Sequence, residues 1–325
     1  MLGLAVRIRM SERVLVASTG GTIASTAGEA GAAPTKTGED LVGAIPELEG
    51  RIRVANVAQR PSVDVDFEVL ERLRKRITSH DAGAVVTHGT DTMAESAYYL
   101  DLFADVEGPV VFTGAQRRPD QPGADGPANL LAAVGAAEEP AVEAAGGVYV
   151  CLNDEPHAAR DVVKAHTWRP DAFESPGRGP VGALAPGGFE RYRELGSRSS
   201  TLSVEDAPAG DVSILTTGLG VGREAIDRAL EAGSEGIVLQ ATGLGNAPEP
   251  VADAVADAVE AGVPVVVTSR CHAGGVAAVY GGGGGYTLEE HGAVLAGDLP
   301  APKARIKLLL ALASGADVAG AFDDD

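Results

Sequence analysis

Short, wholly apolar runs recur along this chain at intervals that leave room for a helix between them. The first four are Val14-Leu15-Val16-Ala17-Ser18, Ala84-Val85-Val86-Thr87, Pro109-Val110-Val111-Phe112-Thr113 and Gly147-Val148-Tyr149-Val150-Cys151-Leu152. Three more follow: Val212-Ser213-Ile214-Leu215-Thr216, Gly236-Ile237-Val238-Leu239 and Val263-Pro264-Val265-Val266-Val267-Thr268. A strand that is apolar on successive residues has no face left for water, so helices must cover both sides of its sheet. The stretches 67–77, 92–103 and 126–138 are amphipathic and lie between such runs. The pattern therefore predicts an α/β protein with a parallel sheet built from βαβ units. The rhythm breaks over 176–210, which is rich in glycine, proline and serine, and reads as a surface hairpin and a linker with a boundary near residue 205. The expected plan is an N-terminal domain over 10–190, a linker over 191–210 and a smaller α/β domain over 211–325. That second domain is expected to hold three further β/α units and to close with a helix over 301–314, with the run 281–285 as a flexible loop.

Composition narrows the function. At 325 residues the chain is long enough for one large or two modest cores. Apolar content is 45% with only 4% aromatic, so close packing must come from small side chains. No apolar run approaches the roughly 20 residues that span a bilayer, and the first nine residues lack the layout of a signal peptide. Met10-Ser11-Glu12-Arg13 runs straight into the first strand, which points to Met10 as the natural start. The reading is a cytoplasmic protein with no membrane partner. Acidic residues outnumber basic ones 46 to 26, a formal charge of −20, and such a chain repels nucleic acid. Acidic excess, scarce lysine and the closing Asp323-Asp324-Asp325 lean toward life in high salt, where self-repulsion reaches only about 3 Å at 1 M. A GC-rich genome would account for the lysine scarcity alone. Cys151 and Cys271 leave a single disulfide open, but two buried thiols in a reducing compartment is the favoured reading. The six histidines fall in no metal-ligand spacing, so neither metal nor cofactor is expected.

The chemistry concentrates where two strands run out. Thr19-Gly20-Gly21-Thr22-Ile23 follows the first run and His88-Gly89-Thr90-Asp91-Thr92 follows the second. Ligands of open α/β sheets bind beyond the carboxyl ends of the strands. Paired glycines let the backbone approach a ligand, and Thr22 then offers a hydroxyl nucleophile. The lysine that ends a phosphate-binding loop is missing, although an ordinary βα turn would look the same. Thr90-Asp91 pairs a hydroxyl for proton transfer with a carboxylate for a substrate ammonium. Thr92 or Asp91 is equally a helix cap. Lys164, in the weakly charged stretch Val162-Val163-Lys164-Ala165, can serve as a base when desolvated. Gly218-Leu219-Gly220-Val221-Gly222 hints at dinucleotide binding, but Gln240 stands where the acidic residue that holds a ribose is needed.

Taken together, these residues resemble the bacterial-type L-asparaginases, the asparaginase/glutaminase family. Thr19 to Ile23 is similar to the family's first signature, and Val86-Thr87-His88-Gly89-Thr90-Asp91-Thr92-Met93-Ala94-Glu95-Ser96-Ala97 to its second. The resemblance continues through Thr113-Gly114-Ala115-Gln116 with Arg118-Pro119, and Ala124-Asp125-Gly126-Pro127-Ala128-Asn129-Leu130. Asn153-Asp154, Arg160-Asp161-Val162-Val163-Lys164, Ala172-Phe173-Glu174-Ser175-Pro176 and Gly243-Leu244-Gly245-Asn246-Ala247-Pro248 extend it. The resemblance implies a larger flavodoxin-like N-terminal domain, a smaller C-terminal one, and a homodimer or homotetramer whose sites lie between subunits. It implies hydrolysis of L-asparagine to L-aspartate and ammonia without a cofactor. Thr22 would be the nucleophile, with Thr90, Asp91 and Lys164 handling protons, Asp91 also holding the substrate ammonium and Ser62 its carboxylate. Gly21, Gly89, Ala115 and Asn246 would complete the substrate site.

Two departures stand out. The family's activating tyrosine, carried on the loop after the first signature, has no counterpart in 24–40, and Val276-Ala277-Ala278-Val279-Tyr280 lacks the acid of secreted members. Either another residue replaces that tyrosine, Tyr280 being one, or activation relies on Thr90 and Lys164. Ser269-Arg270-Cys271-His272-Ala273-Gly274-Gly275 looks closer to the cytoplasmic type. Three rival readings are a glutaminase-asparaginase, the amidase-like subunit of a tRNA-dependent amidotransferase, and a non-catalytic binding scaffold. The amidotransferase subunit normally carries an extra domain before the first signature, where this chain has 18 residues.

Overall fold

The computed structural model describes residues 13–323, apart from residues 30, 104, 107, 198, 205 and 206. The expected start at Met10 and the acidic Asp324 and Asp325 lie outside them. The chain forms two compact units that divide after Ser197.

In the first unit the strands are β1 (Val14–Gly20), β2 (Ser25–Thr26), β3 (Ala33–Pro34), β4 (Ile52–Arg60), β5 (Ala84–Thr87) and β6 (Val110–Thr113). They continue with β7 (Val148–Leu152), β8 (Glu155–Ala158), β9 (Val163–Lys164), β10 (Phe173–Glu174), β11 (Gly182–Ala185) and β12 (Gly188–Arg191). The helices are α1 (Gly38–Gly43), α2 (Phe67–Thr78), α3 (Met93–Asp101), α4 (Gly126–Glu138) and α5 (Pro140–Ala145). Six strands make the main sheet, in the order β4-β1-β5-β6-β7-β8, parallel except where β8 returns antiparallel along β7. All seven residues of β1 are buried, as its apolar run requires. The chain leaves β1 to place β4 on one side and then β5 on the other, so the direction of winding reverses there. Taking the parallel strands in chain order, this is the flavodoxin-like order 2-1-3-4-5, whose ligand crevice opens at that reversal. The crevice thus falls just past Gly20 and Thr87.

Helix α2 is capped by Asp66, whose carboxylate accepts from the Val69 N–H at 2.8 Å. Its Glu71 accepts from Arg74 at 2.8 Å and from the Tyr99 hydroxyl at 2.6 Å, while the Arg74 guanidinium lies 4.5 Å from the Phe103 ring centre. This buried polar cluster fixes α2 against α3, and the Arg74 pair holds the Glu71 carboxyl below its ordinary range in spite of burial.

The stretch 176–210 contains the expected hairpin, β11 with β12, but its continuation is not a free linker. The N–H of Tyr192 donates to Val181 O, that of Gly196 to the Tyr149 hydroxyl, and Ser197 Oγ to Asp101. These bonds make residues up to Ser197 part of the first unit, beyond the expected limit at 190.

The second unit holds β13 (Val212–Thr216), β14 (Gly236–Ala241), β15 (Val265–Ser269) and β16 (Val294–Leu295), parallel and in sequence order. Its helices are α6 (Glu224–Glu231), α7 (Glu249–Glu260), α8 (Gly285–Glu290), α9 (Ala301–Ser314) and α10 (Val318–Phe322). Two expectations need correction. Gly285 is the first residue of α8 and buried, not part of a loop, and α10 follows α9, where Phe322 covers the buried Lys307 with its ring. Both cysteines are free, but only Cys151 is buried; Cys271 follows β15 in an exposed turn. Among the described residues no helix is long and apolar enough to cross a membrane.

Candidate active site

Backbone contact builds the site. Gly20 and Gly21 both take positive φ, 109° and 81°, which carries the chain out of β1 and across the end of β5. A Cβ on Gly21 would lie 2.3 Å from the Gly89 nitrogen, and one on Gly89 would lie 2.7 Å from the Ser62 Cβ. The turns after β1 and β5 therefore touch main chain to main chain, and the turn after β4 packs Ser62 directly against Gly89. Thr19 Oγ donates to Thr87 O at 2.9 Å and ties the turn after β1 to that after β5 from below.

From this junction Thr22 rises as the first residue of a short 3-10 turn, half-buried, with Ser25 Oγ donating to Gly21 O at 2.8 Å behind it. Thr90 is buried and Asp91 exposed on the facing turn. Lys164 arrives on β9, held by its pairing opposite Phe173 of β10. Its Nζ donates to Thr90 Oγ1 at 2.8 Å and to Asp91 Oδ1 at 2.6 Å. The Lys164 side chain is only 16% exposed, whereas that of Asp91 is 65% exposed and open to solvent or ligand. Because Lys164 donates to Thr90, the Thr90 hydrogen is left for another acceptor. Behind Lys164, the buried Asp161 accepts from Arg193 at 2.7 Å, which anchors this segment to the chain after β12.

Ser62 is buried at the start of the turn after β4. Its Oγ accepts from the Asp91 N–H at 3.3 Å, and its carbonyl accepts from Thr92 Oγ1 at 2.8 Å. Thr92 thus occupies the cap position of α3 but spends its hydroxyl on the neighbouring turn instead of the helix. A cavity of about 310 Å³ opens over this arrangement, within the range of small-molecule sites. Gly21, Thr22, Ser62, Gly89, Thr90 and Asp91 line it, so six expected residues come together. Lys164 reaches it through Thr90 and Asp91.

Two other expected residues do not line this cavity. The Ala115 side chain is fully buried in the core beneath α4, and the next residue, Gln116, lines the cavity. Asn246 belongs to the second unit, where its backbone closes a turn on Thr242. Sequence reasoning named no role for Gln116, Arg118 or Gln121, all on the cavity wall. A larger cavity, about 490 Å³, lies at the opposite ends of β5 and β6 around His80, Asp81 and Glu143, away from both glycine turns.

His88 sits under the junction, fully buried, with Nδ1 2.7 Å from Gly89 O and its ring 5.8 Å from that of Phe112. Burial pulls its pKa down to about 4, offset in part by the Gly89 bond, so the ring is neutral at ordinary pH. The unfolded chain takes this proton near pH 6.5, so it binds more protons than the folded one between there and about 4. His88 should then cost no stability above pH 6.5 and on the order of 3 kcal/mol by pH 4. Denaturant melts of the wild type and His88→Asn from pH 7.5 to 4.5 check this. The difference between them must shrink as pH falls, and a constant difference refutes the assignment.

With this geometry in view, the relatives decide the family. The model of the N-terminal asparaginase domain matches residues 13–195, and that of the glutaminase/asparaginase C-terminal domain matches 211–321. The chain belongs to the asparaginase family. It is 36% identical to an L-asparaginase of Bacillus licheniformis, over 94% of this chain and 97% of that one. It is also 34% identical to a subunit of the glutamyl-tRNA(Gln) amidotransferase of Halobacterium salinarum, over 96% of this chain and 78% of that protein. Among solved structures, one described as a probable cytoplasmic L-asparaginase from Campylobacter jejuni superposes with a TM-score of 0.85 at 32% identity, covering 97% of this chain and all of that one. The larger unit with a mostly parallel sheet and the separate parallel C-terminal unit are the asparaginase fold.

Proposed function

We propose that the protein is an L-asparagine amidohydrolase acting through a threonyl acyl-enzyme. The observation that carries this is the bridge of Lys164 Nζ to Thr90 Oγ1 and Asp91 Oδ1, on the wall that faces Thr22. Asp91, exposed and negative, suits the substrate's α-ammonium, and Ser62 its carboxylate. Thr22 Oγ attacks the carboxamide carbon and gives up its proton. The resulting oxyanion collapses and expels ammonia, which takes a proton as it leaves. Water then adds to the ester and releases L-aspartate. Thr90 and Lys164 carry the protons in both steps, and with no tyrosine between Ala24 and Asp40 the activation of Thr22 rests on that pair. Metal and cofactor have no part in the scheme.

The finer features belong to the same proposal: a cytoplasmic, salt-adapted homodimer or homotetramer in which a partner subunit, with Asn246, completes the substrate site. Exposed Leu219, Tyr280 and Tyr286 give the second unit apolar surface for such contacts. The likeness to the Halobacterium salinarum amidotransferase favours a second reading, glutamine hydrolysis. The deciding experiment is ammonia release from L-asparagine and from L-glutamine, at low and at molar KCl. Turnover of asparagine that rises with salt is expected. A preference for glutamine moves the assignment, and release from neither amide at any salt ends it.

A further inference from the structure

One side chain on the cavity wall carries a donor that has no hydrogen-bond partner among the described residues, on a main chain that is held in place. The N–H groups of Gln116 and Arg117 both donate to the Asp125 carboxylate, at 3.0 and 2.9 Å. Asn129 donates to that carboxylate at 3.2 Å and to Gly114 O at 3.0 Å, and its own oxygen accepts from the Asn153 N–H at 3.0 Å. The main chain at Gln116 is thus fixed from both sides by two buried or half-buried residues. Its side-chain Nε2, in contrast, is buried without a hydrogen-bond partner among the described residues. Gln116 lines the same cavity as Thr22 and Thr90. Leaving a buried amide N–H unpaired costs stability, and folded proteins rarely tolerate it unless water, an ion or a ligand supplies the acceptor.

We propose that Gln116 is a specificity-determining residue, whose Nε2 donates to an oxygen of the substrate's side-chain amide and of the product carboxylate. This rests on the amidohydrolase reading: Asp91 and Ser62 there take the two charged α-groups, and the side-chain oxygen is the acceptor that remains. A donor whose backbone cannot shift is sensitive to where that oxygen sits. One added methylene moves it, and hydrogen-bonding sites discriminate more sharply than apolar ones do. Gln116 therefore sets the choice between the four-carbon and the five-carbon amide.

The test compares the wild type with Gln116→Met, which keeps the length and removes the donor, and with Gln116→Glu, which places an acceptor there. Gln116→Met should lower kcat/KM for the preferred amide by about 10- to 100-fold. It should bring the asparagine-to-glutamine ratio several-fold closer to one. Its ligand-free Tm should hold or rise, because the unpaired group is gone, whereas a residue needed only for packing would lower it. Gln116→Glu should lose more turnover than Gln116→Met. Calorimetric binding of L-aspartate and L-glutamate to the same proteins should weaken in parallel. Turnover and ratio unchanged in both variants overturn the proposal while leaving the amidohydrolase reading intact. A wild type that hydrolyses no amide but binds L-aspartate more tightly than Gln116→Met reverses the outcome: the contact stands and the reaction falls. Neither turnover nor binding removes both.

Discussion

Thr22→Ala should abolish ammonia release, lowering it by about 10⁴-fold or more, while the protein remains folded. The size follows from the role. Loss of a nucleophile removes the covalent route altogether, and what remains is the weak catalysis of a bound substrate beside an oriented water. The fold should be nearly indifferent. Thr22 is half-buried, heads a three-residue turn, and that turn is held by Ser25 and by the Ala24 N–H donating to Gly21 O, not by the Thr22 hydroxyl. A stability change within about 1 kcal/mol is expected. Single-turnover assays beside urea melts check both halves. Residual turnover within 100-fold of wild type would move the nucleophile to another group, Thr90 being the nearest candidate.

The second large effect is expected where no side chain exists. Gly21→Ala would place a methyl 2.3 Å from the Gly89 nitrogen and 2.4 Å from its Cα, at a φ of 81°. Neither neighbour can turn aside, because both are main chain. Backbone strain and overpacking together should cost about 3 kcal/mol or more. The catalytic loss should exceed what instability explains. The turns must separate for the methyl to enter, and a displacement of about 1 Å in a site is worth about 100-fold in rate. Gly43→Ala is the control, since its added Cβ meets nothing within 4 Å and its φ is not positive. That variant should stay within about 0.5 kcal/mol of wild type and keep full turnover. If Gly21→Ala behaves like the control, the close approach of the two turns is not what aligns Thr22 with Thr90.

Most strands that could be read from the chain are buried on both faces. β1, β5, β6, β7, β14 and β15 show as apolar runs because a parallel strand between two helical layers has nowhere to place a polar residue, while β13, an edge strand that leaves Ile214 exposed, was legible from its apolar residues alone. β4 escaped notice for the same reason in reverse. It lies at the sheet edge, half-exposed, and carries Arg53, Asn56, Gln59 and Arg60 among its apolar residues, so no run appears. The antiparallel pair that presents Lys164 is two residues long on each side and has no period to detect. In the site, residue types were legible and mutual approach was not. The glycines at 20, 21 and 89 announced turns, yet only the positions of their missing Cβ atoms show that the turns interlock. Gln116 stood in a motif that carries the resemblance but without a role, since a buried amide without a partner becomes visible only when the acceptors around it are known.

The same topology decides when the molecule becomes chemically competent. Thr19 bonds to a residue 68 positions away and Lys164 to one 74 positions away. A nascent chain that has exposed Thr22 and even Thr90 still lacks its cation, which arrives on β9, after β6, β7 and β8 have been made. No truncated product ending short of β9 contains the bridge, so incomplete chains carry the threonines without their partner. In a cell that draws on free asparagine, a chain whose N-terminal unit is unfinished then adds nothing to turnover, however much of it is made.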